Sequence, residues 1–315
     1  MKISVLDAAT LGEDISFEEF EKLGDVKVYD ITPPELVGER ISGSDVVIVN
    51  KIKLNSTNLA DSGIKLICVA ATGYDNIDVA YCKANGIGVC NVVGYSTDCV
   101  AQVTVAMVLS LANHLPEYNR CVEDGSYTAS GVQNRLVPVY HELCGKTWGI
   151  VGAGNIGGKV AEIAKAFGCR VIVYKRTPDE QYECTDLDTL MSTADIISVH
   201  LPLSDSTRNI IDKRRIDLMK KDALIVNVAR GAVWDESSIA EAVENGRIGG
   251  MGCDVYSVEP MSSDHPFGRI MHLDNVCLTP HMAWGSYESR SRCISIMAKN
   301  IECYFNGEIY NRVDI

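Results

Sequence analysis

Residues 147–176 read TWGIVGAGNIGGKVAEIAKAFGCRVIVYKR, and this run decides the fold. Trp148 to Val151 is a short apolar stretch, as expected of a buried parallel strand. Gly152-Ala153-Gly154-Asn155-Ile156-Gly157 follows. Ile156, Val160, Ile163, Ala164 and Phe167 then recur on one helical face. Gly168 stops that helix, and Arg170 to Tyr174 reads as a second strand. Strand, G-x-G-x-x-G turn, helix and strand make a dinucleotide-binding βαβ unit. Gly152 allows the tight turn, Gly154 lets a pyrophosphate approach the backbone, and Gly157 lets the helix pack on the strand. The amides at the helix start, with Asn155 and Ile156, would hold that pyrophosphate.

The rest of the chain supplies a frame for this unit. Its 315 residues suffice for about two domains. A net charge of −13 argues against nucleic acid and anionic membrane surfaces as partners, and no apolar run is long enough to span a bilayer. The start, MKISVLDAAT, reads as a first strand and not as a signal peptide. Twelve cysteines without a Cys-x-x-Cys pair, set mostly in apolar segments, suit buried free thiols and a cytoplasmic protein. The six histidines show no metal-ligand spacing, so no metal is expected.

Over the first ~95 residues, short strands alternate with amphipathic segments, the pattern of a small α/β domain with a mainly parallel sheet. Ligands bind beyond the carboxyl ends of such strands. Two places qualify, Asn50-Lys51 and Thr72-Gly73, and either is also compatible with a plain turn. An apolar helix is expected over Thr97–Leu115, with His114 and Pro116 structural. Residues 117–143 are weakly periodic and fit either an arm against another subunit or an irregular excursion.

After the glycine-rich unit the alternation resumes. Predicted strands end at His200-Leu201-Pro202, at Ala229-Arg230-Gly231, at Asp254-Val255-Tyr256 and at Thr279-Pro280-His281, and a helix over Tyr287–Phe305 closes the chain. Arg230, Asp254 and His281 thus fall at one sheet edge, with Glu259 five residues beyond Asp254. Arginine can grip a carboxylate with two parallel hydrogen bonds. Histidine can give a proton to a carbonyl oxygen, and a carboxylate beside it favours the imidazolium. Beside a nicotinamide these groups suffice for hydride transfer to a 2-keto acid.

The stretches ATGYDNIDV, GYSTDCVAQVTVAMVL, DIISVHLPLSDSTRNII, VNVARGAVWDE, GCDVYSVEP and LTPHMAWGS, with the run quoted first, resemble the D-isomer-specific 2-hydroxyacid dehydrogenases over essentially the whole chain. The resemblance implies an α/β protein of two domains with mainly parallel sheets. A flavodoxin-like substrate domain would comprise 1–96 plus 287–315, and a Rossmann NAD(P)-binding domain 97–286. It also implies a homodimer and an active site in the interdomain cleft. It assigns catalysis to Arg230, Glu259 and His281, and substrate contacts to Thr72, Gly73, Arg230 and His281. Thr104, Asn155, Ile156, His200, Pro202, Thr207, Val228 and Asp254 would touch the cofactor. Asn50-Lys51 and Trp284 resemble the glycerate dehydrogenase (hydroxypyruvate reductase) branch, which points to hydroxypyruvate or glyoxylate. Formate dehydrogenases carry glutamine where this chain has Glu259, so a formate role is not expected. The alternative is a dinucleotide-sensing binding protein on the same fold, without turnover.

The end of the second strand bears on which dinucleotide binds. An NAD site usually has an acidic residue there for the ribose hydroxyls. This chain reads Tyr174-Lys175-Arg176-Thr177, and its first acid, Asp179, lies beyond Pro178. Two cations and a hydroxyl can bind a 2′-phosphate, so NADP(H) is favoured over NAD(H), against a reading as a solvated basic turn.

Overall fold

Two all-parallel sheets organise the chain, which the computed structural model describes over all residues, Met1–Ile315. The chain divides into two compact units, Met1–Ser96 with Gly285–Ile315, and Thr97–Trp284. The second boundary falls just before the expected residue 287. Ser286 caps the last helix, its Oγ accepting the Ser289 N–H, and so goes with it.

The first unit holds β1 (Lys2–Val5), β2 (Asp25–Val28), β3 (Val46–Val49), β4 (Leu66–Val69) and β5 (Gly88–Cys90) in the order β2-β1-β3-β4-β5. This is the flavodoxin-like order, with its switch point between β1 and β3. Strands β3 and β4, VVIV and LICV, are apolar throughout because both faces of a parallel sheet are covered. The edge strand β2, DVKV, is mostly exposed and carries two charges that discourage edge pairing. The helix Tyr287–Phe305 buries Cys293, Ile294, Met297 and Ile301. Its Tyr304 ring occupies the space over Gly88, where an added Cβ would stand 2.4 Å from it. Asn300, fully buried, donates from Nδ2 to the Asn91 carbonyl and accepts from Asn311. Two distant stretches of chain are thereby joined.

The second unit holds β6 (Thr147–Val151), β7 (Arg170–Tyr174), β8 (Glu183–Cys184), β9 (Ile196–Val199), β10 (Leu224–Asn227), β11 (Gly250–Cys253) and β12 (Val276–Leu278). Their order is β12-β11-β10-β9-β6-β7-β8. The chain runs outward from β6 to β8, then jumps back to β9 on the other side of β6. That is the Rossmann arrangement with a seventh strand, and its switch point lies between β6 and β9. Helix Asn155–Ala166 buries Gly157, Val160, Ala161 and Ala164, an i, i+3, i+4, i+7 stripe. These share a core with Trp148, Ile150 and, from helix Thr97–Ala112, Val105 and Val108. Each such buried valine contributes roughly 1.5–3 kcal/mol.

The helix expected to reach Leu115 ends at Ala112, because His114 turns into the left-handed region at φ +51°. A new helix, Leu115–Glu123, begins there with Pro116 in its first turn, where no amide is needed. A short helix, Ser126–Ser130, follows, and the remainder of the weakly periodic segment is irregular. All 12 cysteines are free thiols, nine of them buried. No single helix is long and apolar enough to cross a membrane.

Candidate active site

The candidate residues of the second unit lie along one sheet edge, in an order that topology dictates. Following the sheet from its outer strand inward, His281 comes after β12, Glu259 after β11 and Arg230 after β10. His200 and Pro202 come after β9, the glycine-rich turn after β6, and Lys175 to Thr177 after β7. With strands about 4.8 Å apart, this is a row of chemically distinct stations.

Four local devices fix the acid–base end of the row. Asn227 at the end of β10 is fully buried; its Oδ1 accepts the Ala229 N–H, and its Nδ2 donates to the Arg230 carbonyl. This Asx turn sets Arg230, whose Nη1 donates to the Ala229 carbonyl. Gly231 lies against the next loop so closely that a Cβ would fall 2.1 Å from the Tyr256 carbonyl carbon. The Tyr256 amide donates to Glu259 Oε1 at 2.9 Å, and Glu259 Oε2 stands 2.6 Å from His281 Nδ1. Asp254 holds the His281 turn: it accepts the Thr279 hydroxyl and the amides of Met282 and Ala283. Burial pushes the Asp254 carboxyl above the usual aspartate range, and those donors pull it back. The Tyr256 hydroxyl donates to the Thr279 carbonyl, tying the two turns together, and burial raises it far enough to remain a donor. His281 itself has φ +54°, a conformation unusual for a residue with a Cβ, held by these surroundings.

The geometry fixes a tautomer. A carboxylate only accepts, so Nδ1 of His281 carries a proton in both charge states. Proton exchange with a substrate therefore falls to Nε2.

The nucleotide end fits a dinucleotide. Gly152 has φ +98°, and a Cβ on Gly157 would fall 2.0 Å from the Gly152 carbonyl oxygen, so neither position admits a side chain. A Cβ on Gly154 would meet nothing within 4 Å, so the space beside this turn is open. No side chain caps the helix that starts at Asn155, which leaves its first amides for an anion. His200 Nε2 lies 3.0 Å from Ser198 Oγ, which also accepts from Trp148 Nε1. The His200 residue is partly exposed, but its Nδ1 is sealed and without a partner, and burial pushes the ring down to about 3. It stays neutral there, as a polar wall and not an acid.

The structure gives the remaining expected contacts these surroundings. Thr104 is fully buried and donates its hydroxyl to the Val100 carbonyl, one turn back in its own helix. Thr207 shapes its own loop, donating to the Pro202 carbonyl and accepting the Ser204 amide. Lys175 is drawn to Asp179 at 3.0 Å, which halves the cationic charge expected beyond β7; Arg176 and Thr177 are exposed. Val228 is buried, at the end of β10, and Trp284 is half-buried against the core around Trp148. In the first unit, Asn50 is buried and turned inward to Thr10. Its amide and that of Lys51 donate to the Asp7 carboxylate, so the fold uses Asn50 to shape the turn that presents Lys51. Lys51 lines a cavity of about 550 Å³ at the β1/β3 switch point. Thr72, exposed, donates its hydroxyl to the Val92 carbonyl, which fixes its turn beside the half-buried Gly73.

The sequence reading missed Asn227, Tyr256 and Thr279. The first had a usable signal, an Asn two residues before a turn amide.

The family profile for the NAD-binding domain of D-isomer-specific 2-hydroxyacid dehydrogenases matches residues 105–283. The chain belongs to that family. It is 34% identical over 324 residues to a hydroxypyruvate reductase of Blautia hydrogenotrophica, covering all of both chains. A D-lactate dehydrogenase of Aquifex aeolicus, solved with NAD and lactic acid, superposes with a TM-score of 0.88 at 28% identity, over 100% of this chain and 99% of that one. An acyclic imino acid reductase solved with NADPH and D-Arg also reaches 0.88, at 30% identity, over 99% of this chain and 100% of that one. As a D-2-hydroxyacid dehydrogenase, the protein is a nicotinamide-dependent oxidoreductase acting on the CH–OH group of 2-hydroxy acids or on the matching 2-keto acids. This sets aside the dinucleotide-sensing alternative.

Proposed function

We propose that the protein reduces a small polar 2-keto acid, hydroxypyruvate or glyoxylate, with NADPH as the favoured reductant. The observation that carries the catalytic reading is the Glu259–His281 contact beside Arg230 at adjacent strand ends. Arg230 grips the substrate carboxylate through its fork. The nicotinamide supplies a hydride to the carbonyl carbon when bound. His281 Nε2–H protonates the carbonyl oxygen as it becomes an alkoxide, and Glu259 stabilises the imidazolium until the proton leaves. In the reverse direction the neutral Nε2 takes the hydroxyl proton.

The preference for hydroxypyruvate rests on Lys51 and Trp284 and on the Blautia hydrogenotrophica relative's name. The preference for NADPH rests on the exposed Arg176-Thr177 pair, the lack of an acid directly after β7, and the NADPH in the imino acid reductase structure. A homodimer is supported by the exposed apolar run of Leu115, Val122, Val132, Leu136, Val137 and Val139. Free buried thiols support residence in the cytoplasm.

A panel of 2-keto acids, each assayed with NADPH and NADH by loss of reduced-nicotinamide absorbance, tests the substrate reading. Hydroxypyruvate and glyoxylate should give the highest kcat/KM, and pyruvate or bulky branched keto acids outperforming both would overturn it.

A further inference from the structure

Below the catalytic loop lies a buried acid and histidine that the chemistry above does not use. Helix Glu236–Glu244 starts after Asp235, whose carboxylate takes both the amide and the hydroxyl of Ser238. That cap leaves the Glu236 side chain free to turn back. Its Oε1 accepts the Ser257 amide at 2.8 Å, and its Oε2 accepts the Ser257 hydroxyl. Oε2 also lies 3.1 Å from His265 Nε2, with side-chain exposures of only 10% and 3%. The contact is within ion-pair range but off the hydrogen-bond line, and Nε2 has no other partner. His265 Nδ1 accepts the Phe267 amide, so a neutral ring carries its proton on Nε2, facing Glu236. The ring is packed edge-on against Phe267 and Tyr256.

Ser257 sits between Tyr256, whose amide holds Glu259 Oε1, and Glu259 itself. We propose that Glu236 and His265 form a buried positioning pair that sets the reach of Glu259 to His281 by clamping the Tyr256–Ser257 turn. The pair touches neither substrate nor cofactor. Without the clamp, one carboxylate oxygen of Glu259 keeps its amide but the turn that aims the other is loose. The inference rests on the reading of Glu259 and His281 as the acid–base pair. The charged and titratable groups around these positions are Glu259 and Asp254 facing His281, and Tyr256, Cys253 and Asp264 around Glu236 and His265.

The test uses the apo protein and the enzyme together. Nitrogen-15 shifts of the His281 ring, assigned by their loss in His281→Gln, report which nitrogen carries the proton. The wild-type neutral ring should show the proton on Nδ1. Glu236→Gln leaves one acceptor oxygen where the turn and His265 need two, and should convert His281 to a mixture of tautomers. Ser257→Ala, which keeps the amide bond to Glu236 Oε1 and removes only the hydroxyl bond to Oε2, should do so to a smaller degree. In both variants kcat for keto-acid reduction should fall, while cofactor Kd stays at the wild-type value. Glu259→Gln is the reference for complete loss. If it redistributes the tautomers while Glu236→Gln and Ser257→Ala, both folded, keep the wild-type spectrum, the positioning role is overturned and the acid–base reading stands. A Glu236→Gln protein that does not fold leaves Ser257→Ala to decide in the same way. If Glu259→Gln itself leaves the ring unchanged, both readings fall.

Discussion

Nδ1 of His281 stands 2.6 Å from Oε2 of Glu259, and the other oxygen of that carboxylate is held by the Tyr256 amide. The carboxylate is therefore anchored on one side and aimed on the other, so its charge supports the imidazolium and keeps Nε2 for the substrate. Reduction needs a protonated ring and oxidation a neutral one. Keto-acid reduction should decline with rising pH while hydroxy-acid oxidation increases. Glu259→Gln should lower kcat for keto-acid reduction while cofactor Kd stays near the wild-type value. Rates measured where hydride transfer is limiting check this, and an unchanged kcat would remove Glu259 from the acid–base pair.

Arg230 is set by the Asn227 turn at the edge of β10, with its guanidinium steered by the Ala229 carbonyl. Arg230→Lys retains the charge but loses the planar fork. The loss of one charge-assisted hydrogen bond, ~1.5–3 kcal/mol, should lower kcat/KM roughly ten- to hundredfold. Cofactor affinity should hardly change. A lysine variant with near-normal kcat/KM would remove Arg230 from the substrate site.

Beyond β7 the charge expected from two cations is reduced, because Lys175 pairs with Asp179. Arg176 then carries most of the recognition of a 2′-phosphate. Arg176→Ala should raise the KM for NADPH roughly tenfold or more and leave that for NADH almost unchanged. Equal weakening of both cofactors, or a wild-type preference for NADH, would contradict this assignment.

His200 makes a stability prediction. Burial pushes its ring from the ordinary 6.5 down to about 3 in the folded chain. The unfolded chain therefore takes up this proton first as pH falls. The stability it protects is complete above about 6.5 and is lost progressively between there and about 3. At pH 5 this one group accounts for at most about 2 kcal/mol. His200→Asn should reduce the drop in apo-protein Tm between pH 7 and pH 5, read by calorimetry. An equal drop in both proteins would show that His200 is not protected from protonation.

What was legible in the sequence follows from where each residue's information lies. Strands such as VVIV and TWGIV are apolar on both faces, so their position and parallel setting were readable, and Arg230 and His281 come three residues after strand ends, with Glu259 further along the loop after β11. The glycine-rich turn was readable because backbone space alone selects those residues. The direction of a side chain was not. Nothing local says that Asn50 turns to Thr10 or that Thr104 bonds back to its own helix. Short polar elements were also invisible: helix Lys213–Leu218, KRRIDL, has too few apolar positions for a period, and β8 has only two residues. The break at His114 depends on one backbone angle that a histidine seldom adopts. Glu236 and Ser257, 21 residues apart, meet only because β11 and the loop after β10 bring them together.

The most direct test of the account is single-turnover reduction of hydroxypyruvate by His281→Gln preloaded with NADPH, compared with wild type. Wild type should oxidise the bound cofactor on mixing. The variant should bind NADPH equally well but transfer hydride roughly 10²–10⁴ times more slowly, the ordinary contribution of a general acid. A variant that keeps its rate to within a few fold, or a wild-type enzyme that binds NADPH and reduces no 2-keto acid, would contradict it.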